Sequence, residues 1–270
     1  MNIYRFASLD DYLMARPLHV DGLTHDGWGI PYAIKARQLD ATILFADISN
    51  FSGRTLAMSP TETLAFVNHF FSWITVRALT NTSGIVDKYI GDEVMIVFSA
   101  EFGSRDPFAE ALDVARRFGE EDTFSFRPHM GIASGVVVVG YVGTPVKYNC
   151  SVFGHAVAVA ARCASVRTST ADVAASIVFP ASEWVGRDFT KLFPTAADAG
   201  TPHSRAPTWQ ISQPYLEHLK NMQPLEVISI ANFTKSAPTV TAEQWARNAA
   251  GGLTFRTDPA ALKDGVFRNR

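Results

Sequence analysis

Cysteine is scarce: the 270 residues hold only Cys150 and Cys163. Their spacing makes no metal-binding pair, and two cysteines in so long a chain read as free thiols rather than a disulfide framework. Excess charge is missing too. Lysine plus arginine number 24 against 26 acidic residues, a formal net charge of -2. No global basic field or basic stripe therefore gathers nucleic acid. No apolar run is long enough to cross a bilayer. Met1 to Phe6 lacks the basic stretch and apolar core of a signal peptide. These absences lead to the expectation of a soluble, cytoplasmic protein with no membrane or nucleic-acid partner. There is no internal repeat and no low-complexity tract. What is present is an ordinary globular hydrophobic fraction, 47%, and enough length for one large domain or one domain with extensions.

Residues 1–38 are broken by Pro17, Gly22, Gly27, Gly29 and Pro31, with room for one short helix after Asp10 and Asp11. A strand is expected over 41–47. Ser59-Pro60-Thr61-Glu62 reads as a helix start, and Leu64, Val67, Phe70, Phe71, Ile74 and Leu79 recur at helical spacing until Gly84. Two strands around Gly91-Asp92 predict a hairpin. A second amphipathic helix is expected over 106–118. The stretch 129–141 reads as two short strands turning near Ser134-Gly135, followed by a strand at 148–153 and a small-residue helix at 157–166. Late strands are expected at 176–179 and 226–231. His203 and Arg205 fall in a stretch read as a solvated loop. Strands that alternate with helices yet join through tight turns favour an α+β fold with a mixed or antiparallel sheet.

Two aspartates draw attention. Asp47 ends the apolar run Ala41–Ala46, and Asp92 follows Lys88-Tyr89-Ile90-Gly91. A carboxylate at a strand end is costly to bury alone. Two make sense when they converge on a divalent cation, and oxygen-only ligation suits Mg²⁺ or Mn²⁺, which bring phosphates with them. The backbone N–H groups of Ile48 to Ser52 would open a helix able to cradle a triphosphate; an aspartate capping a helix is the plainer alternative. On an extended strand Lys88 and Asp92 would share a face, as a nucleotide-binding pair or as a salt bridge. Gly154 permits a sharp turn into the helix that carries Arg162, a guanidinium placed to meet phosphate oxygens or simply exposed on a packed helix.

Taken in order, F-x-D-I-x-x-F at 45–51, K-x-x-G-D at 88–92, G-I-x-x-G at 131–135 and G-x-x-V-x-x-A-x-R at 154–162 resemble the catalytic domain of class III nucleotidyl cyclases over residues 40–170. The resemblance implies a ferredoxin-like α+β core, with a mixed, mainly antiparallel sheet flanked by helices, working as a head-to-tail homodimer. It implies an N-terminal extension over 1–38, a catalytic domain over 39–235 and a C-terminal tail over 236–270. Asp47, Ile48 and Asp92 would hold two Mg²⁺ or Mn²⁺ ions per site. Phe51, Ser52, Lys88 and Ser151 would contact the nucleoside triphosphate, and Arg162 of the partner would stabilise charge on the α-phosphate.

The chain departs from that pattern at Ala158, where the family usually has asparagine to orient the ribose, and at His155, where it often has aspartate. Lys88 disfavours GTP, because guanylate cyclases usually carry an acidic residue there. Lys88 with Ser151 fits both adenine and uracil by donor and acceptor count. The lack of a sensory domain, the extensions and Ala158 resemble the stand-alone pyrimidine cyclases of bacterial anti-phage systems, and Tyr89, Tyr148 and Phe153 would narrow the base pocket or pack in the core. The expected activity is a uridylate cyclase making cUMP for a downstream effector. Adenylate cyclase comes second, then cytidylate cyclase or a non-catalytic nucleotide-binding dimer module. A two-metal polymerase or diguanylate cyclase ranks low, because Ile90-Gly91-Asp92-Glu93-Val94 lacks the glycine-rich acidic turn of that family.

Overall fold

The computed structural model describes residues 5–25, 27–144, 147–167, 173–193, 209–233 and 238–252. The stretch with His203 and Arg205, and residues 253–270, lie outside them.

One sheet organises the described residues. Its strands are β1 (Val20–His25), β2 (Pro31–Ile48), β3 (Ile85–Ile90), β4 (Glu93–Phe98), β5 (Pro128–Thr144), β6 (Lys147–Phe153), β7 (Ala175–Pro180), β8 (Trp209–Ile211), β9 (Tyr215–Glu217) and β10 (Leu225–Asn232). The order along the sheet is β3-β4-β2-β5-β7-β10-β8, with β1 on β2, β6 on β5 and β9 on β10. Every pairing is antiparallel except β5 with β7. The helices are α1 (Leu9–Met14), α2 (Phe51–Thr55), α3 (Pro60–Leu79), α4 (Pro107–Glu120), α5 (His155–Ala164) and α6 (Ala242–Gly251). The succession β2-α3-β3-β4-α4-β5 with order β3-β4-β2-β5 is the expected ferredoxin-like α+β core.

Alternation along β2 explains the two helical layers. Leu44, Ala46 and Ile48 face the core made with α3, α4 and α6. Leu39, Ala41, Ile43 and Phe45 face the opposite core, made with α1 and α5. Asp47 continues that second, odd-numbered series and so opens on the side of α5. Helix starts follow local chemistry. Ser59 and Glu62 form a reciprocal capping box with Pro60 behind them, and Asp106 caps α4 by accepting from the Ala109 N–H.

Four expectations need correction. Residues 128–144 form one continuous strand, not two with a turn at Ser134-Gly135. Gly131 serves close packing instead: a Cβ there would lie 2.0 Å from the Ala160 carbonyl oxygen and 2.2 Å from the Ala164 nitrogen. Gly84 does not end α3, which stops at Leu79; a Cβ at Gly84 would meet the Phe98 ring at 2.6 Å. The 1–38 stretch is no appendage, since β1 pairs with the first part of β2 inside the sheet. The expected tail from 236 includes α6, whose Ala242 and Ala246 are buried against the α3 layer.

Candidate active site

Asp47 stands at the end of β2 between two neighbours, opposite Glu93 on β4 and His129 on β5. It is buried, 8% exposed. The β3–β4 turn delivers the second carboxylate. Gly91 takes a left-handed conformation (φ +64°), open to glycine without strain, and Asp92 follows it. Burial first, then a hydrogen bond and the charge of Asp47, pushes Asp92 up to about 7. The two carboxyl groups thus meet as the sequence predicts. Because Asp92 is in a turn, the shared strand face expected for Lys88 and Asp92 does not exist. Glu93 is also raised, by burial and then by Asp47, against the opposing charges of Arg162 and Arg167.

Three residues around Asp47 went unnoticed in the sequence. Arg167, just beyond α5, donates from Nη2 to Asp47 Oδ2 at 3.3 Å and from Nη1 to the Ala164 carbonyl at 3.2 Å. His129 is buried, with Nδ1 2.6 Å from Ser176 Oγ and Nε2 3.1 Å from Ser49 Oγ. Burial, then the Arg167 charge, lowers its pKa to about 4 despite the opposing pull of Asp47. It is therefore a neutral ring at ordinary pH. The alternation that aligns Asp47 with Glu93 and His129 was the available signal for Glu93 and His129; Arg167 had none.

After Ile48 the chain turns through Asn50, in the left-handed region (φ 53°), into α2, whose first N–H groups have no side-chain cap. Ser52 is exposed. Phe51 is half-buried and packs on Phe66, ring centroids 6.3 Å apart. Arg54 braces this turn, donating to the Phe126 carbonyl at 2.8 Å and pairing with Glu243 of α6.

Lys88 and Ser151 also meet: Lys88 Nζ donates to Ser151 Oγ. Ser151 is buried, 2% exposed, beneath a lysine whose side chain is 37% exposed. A cavity of about 410 Å³ opens beside Lys88, with Tyr148 and Cys150 in its wall. Tyr89 does not narrow it. Its ring stacks on Phe71 at 4.2 Å and its hydroxyl is 2.6 Å from Thr75 Oγ1, so it packs on α3. Arg162 lies in the last turn of α5, on the helix that Gly131 lets settle onto β5. Cys150 and Cys163 are free thiols, as expected. Among the described residues no group of three His, Cys, Asp or Glu side chains could hold a metal, and no helix is long and apolar enough to cross a membrane.

A sheet-borne carboxylate pair, an uncapped turn and a separate lysine–serine pair fit the catalytic domain of a class III nucleotidyl cyclase. The family described as adenylate and guanylate cyclase catalytic domain matches residues 34–176, and the chain belongs to it. An adenylate cyclase of Anabaena cylindrica is 32% identical over 136 residues, 45% of this chain and 26% of that protein. The terminal-differentiation specific adenylate cyclase of Dictyostelium discoideum is 27% identical over 129 residues, 45% of this chain and 6% of that protein. The chain thus spans only a small part of these relatives' length. Among solved structures, the guanylyl cyclase Cya2 superposes with a TM-score of 0.55 at 18% identity, covering 77% of this chain and 98% of that one. The adenylyl cyclase CyaB from P. aeruginosa gives 0.54 at 16%, covering 72% and 95%. These two likenesses concern the fold.

Proposed function

We propose that the chain closes a ribonucleoside triphosphate, UTP first, to its 3′,5′-cyclic monophosphate with release of pyrophosphate, at sites shared by two copies. The observation that carries this reading is the meeting of Asp47 and Asp92 beside an uncapped helix start. A carboxyl group whose ionisation is opposed by burial and by a neighbouring carboxylate, as that of Asp92 is by Asp47, fits a cation between the two. The donors are oxygen only, which suits Mg²⁺ or Mn²⁺, held by both carboxylates and the Ile48 carbonyl. Such ions, when bound, would acidify the ribose 3′-hydroxyl and neutralise the triphosphate.

The protein's own groups do the rest. The Ser49 N–H donates to the Arg127 carbonyl, so N–H groups of the turn beyond it, Asn50 to Ser52, bind phosphate oxygens. Lys88 donates to an acceptor on the base. The 3′-oxygen bonds to the α-phosphorus as the bond to pyrophosphate breaks, and Arg162 of the second copy stabilises the charge that gathers on the α-phosphate. Lys88 and Ser151 pair with one another and with Asp87, while Asp47 pairs with Arg167; the division between two copies rests on the resemblance.

The pyrimidine reading rests on the resemblance of the Ala158 helix to those of stand-alone pyrimidine cyclases and on the exposed Tyr148 in the wall of the Lys88 cavity. The resemblance to stand-alone pyrimidine cyclases supports cUMP as a second messenger to an effector in anti-phage defence. ATP is the second reading, favoured by the names of the curated relatives. Incubating the protein with each of the four ribonucleoside triphosphates and Mn²⁺, then weighing the products, separates these readings. Dominant cUMP supports the first and dominant cAMP the second, whereas no cyclic product from any of them refutes cyclase activity.

A further inference from the structure

Asp87 belongs to no motif, yet its carboxylate is the most enclosed charge near the Lys88 cavity, its side chain 2% exposed. The strand register explains how it arrives there. The β3–β4 pairing passes from Val86 opposite Ile96 to Lys88 opposite Met95. Asp87 is the extra, unpaired residue of a bulge. On a regular strand Asp87 and Lys88 would point to opposite faces; here both reach Ser151. Lys88 Nζ lies 3.1 Å from Asp87 Oδ2, Lys88 donates to Ser151 Oγ, and Ser151 Oγ donates to Asp87 Oδ2 at 3.4 Å. The three groups close a triangle, and Lys88 is its one partly exposed member.

The ammonium has three N–H donors. Asp87 takes one and Ser151 a second, which leaves one for the cavity that Asp87 and Lys88 both line. Without a carboxylate beneath it, a lysine on a four-carbon stem samples many positions and contacts any base edge. With it, the ammonium presents one donor from a fixed point, and a fixed donor ranks bases by where their acceptor falls.

We infer that Asp87 is a specificity-determining positioning residue, which holds Lys88 against Ser151 and so sets the order in which nucleoside triphosphates are accepted. This rests on the cyclase reading above. Asp87 touches no substrate and acts through Lys88, so its removal changes the ranking of bases rather than the chemical step.

The test compares kcat/KM for the four ribonucleoside triphosphates, with Mn²⁺, in the full chain and its variants. Asp87→Asn keeps the side-chain shape and removes the charge. It should lower the ratio between the best and second-best nucleotide by about tenfold or more, chiefly through KM of the best one. The double variant with Lys88→Gln should rank bases no differently from Lys88→Gln alone, because one residue works through the other. Asp87→Ser, a smaller neutral replacement, should lower the same ratio and covers the case in which Asp87→Asn fails to fold. An unchanged ratio in either folded variant, or equal loss of activity on all four nucleotides, overturns the inference. Absence of cyclic product from the unaltered chain instead refutes the cyclase reading, and this inference falls with it.

Discussion

Gly131→Ala is the smallest change that reaches the candidate site through the fold. Gly131 sits mid-strand on β5, opposite Phe45, directly under the helix that carries Arg162. An added Cβ would stand 2.0 Å from the Ala160 oxygen, 2.2 Å from the Ala164 nitrogen and 2.8 Å from the Cys163 carbonyl carbon. All three are backbone atoms, so no rotamer change relieves the clash. Ordinary contact begins near 3.4 Å, so α5 must withdraw by about 1.4 Å, a distance of the size at which misplacement costs about 100-fold in rate. Overpacking a core costs about 1–3 kcal/mol, and a helix backbone that must move as a unit belongs at the upper end. About 3 kcal/mol corresponds to a fall of roughly 6–12 °C in Tm for a domain this large.

Gly135→Ala, one helical turn along the same contact, is the matched control. Its Cβ would meet the Ala156 Cβ at 3.5 Å, an ordinary contact that needs no movement. Thermal unfolding with Mn²⁺-dependent cyclisation, measured on both variants, should show a large loss in both readouts for Gly131→Ala and near wild-type values for Gly135→Ala. Wild-type stability and turnover in Gly131→Ala would refute the claim that backbone contact seats α5. Equal damage in both variants would refute the claim that close approach, rather than strand flexibility, explains the glycine.

Arg162→Ala should slow turnover by about 10²–10³-fold while nucleotide binding persists, read by single-turnover kinetics beside equilibrium binding; parallel loss of binding would contradict a transition-state role. Mixing Asp47→Ala protein with Arg162→Ala protein should restore activity that neither has alone, and no rescue would argue against a shared site. His69 offers a pH test remote from the chemistry. Its ring lies 3.9 Å from that of Trp245 and 4.3 Å from that of Phe124, its Nδ1 is buried without a hydrogen-bond partner, and burial lowers its pKa from 6.5. The unfolded chain binds that proton more readily, so the stabilising contribution is full above 6.5 and is lost as the pH falls through the lowered value. The Tm should therefore drop between pH 7 and 5, and His69→Phe should flatten this slope. An unchanged slope would place the titrating group elsewhere.

Most of the fold was legible because period and punctuation agreed. Ser59-Pro60-Thr61-Glu62 opens α3 where the capping box requires it, and Gly91-Asp92 turns the β3–β4 hairpin. Errors fell where glycine had a tertiary rather than local reason. Gly131 and Gly135 look like turn residues in a linear reading, but Gly131 leaves space for a helix that arrives about 30 residues later, a contact invisible to any local window. The tail was misread for a related reason. α6 carries one large apolar residue, Trp245, which packs on His69 of α3 beside the buried alanines at 242 and 246.

The candidate site divides along the same line. Asp47, Asp92 and Lys88 were singled out because each belongs to an ordered motif, and Ser151 because the resemblance assigns it; the fold brings the four together in two pairs. Asp87, His129 and Arg167 were missed because their roles depend on register, bulge and helix end. A carboxylate at 87 should face away from Lys88 by simple alternation, and only the slipped register between Val86 and Lys88 reverses that. Motif spacing therefore marks the groups proposed to meet the nucleotide. The groups proposed to aim them are set by departures from regular geometry, which leave no trace in a linear motif.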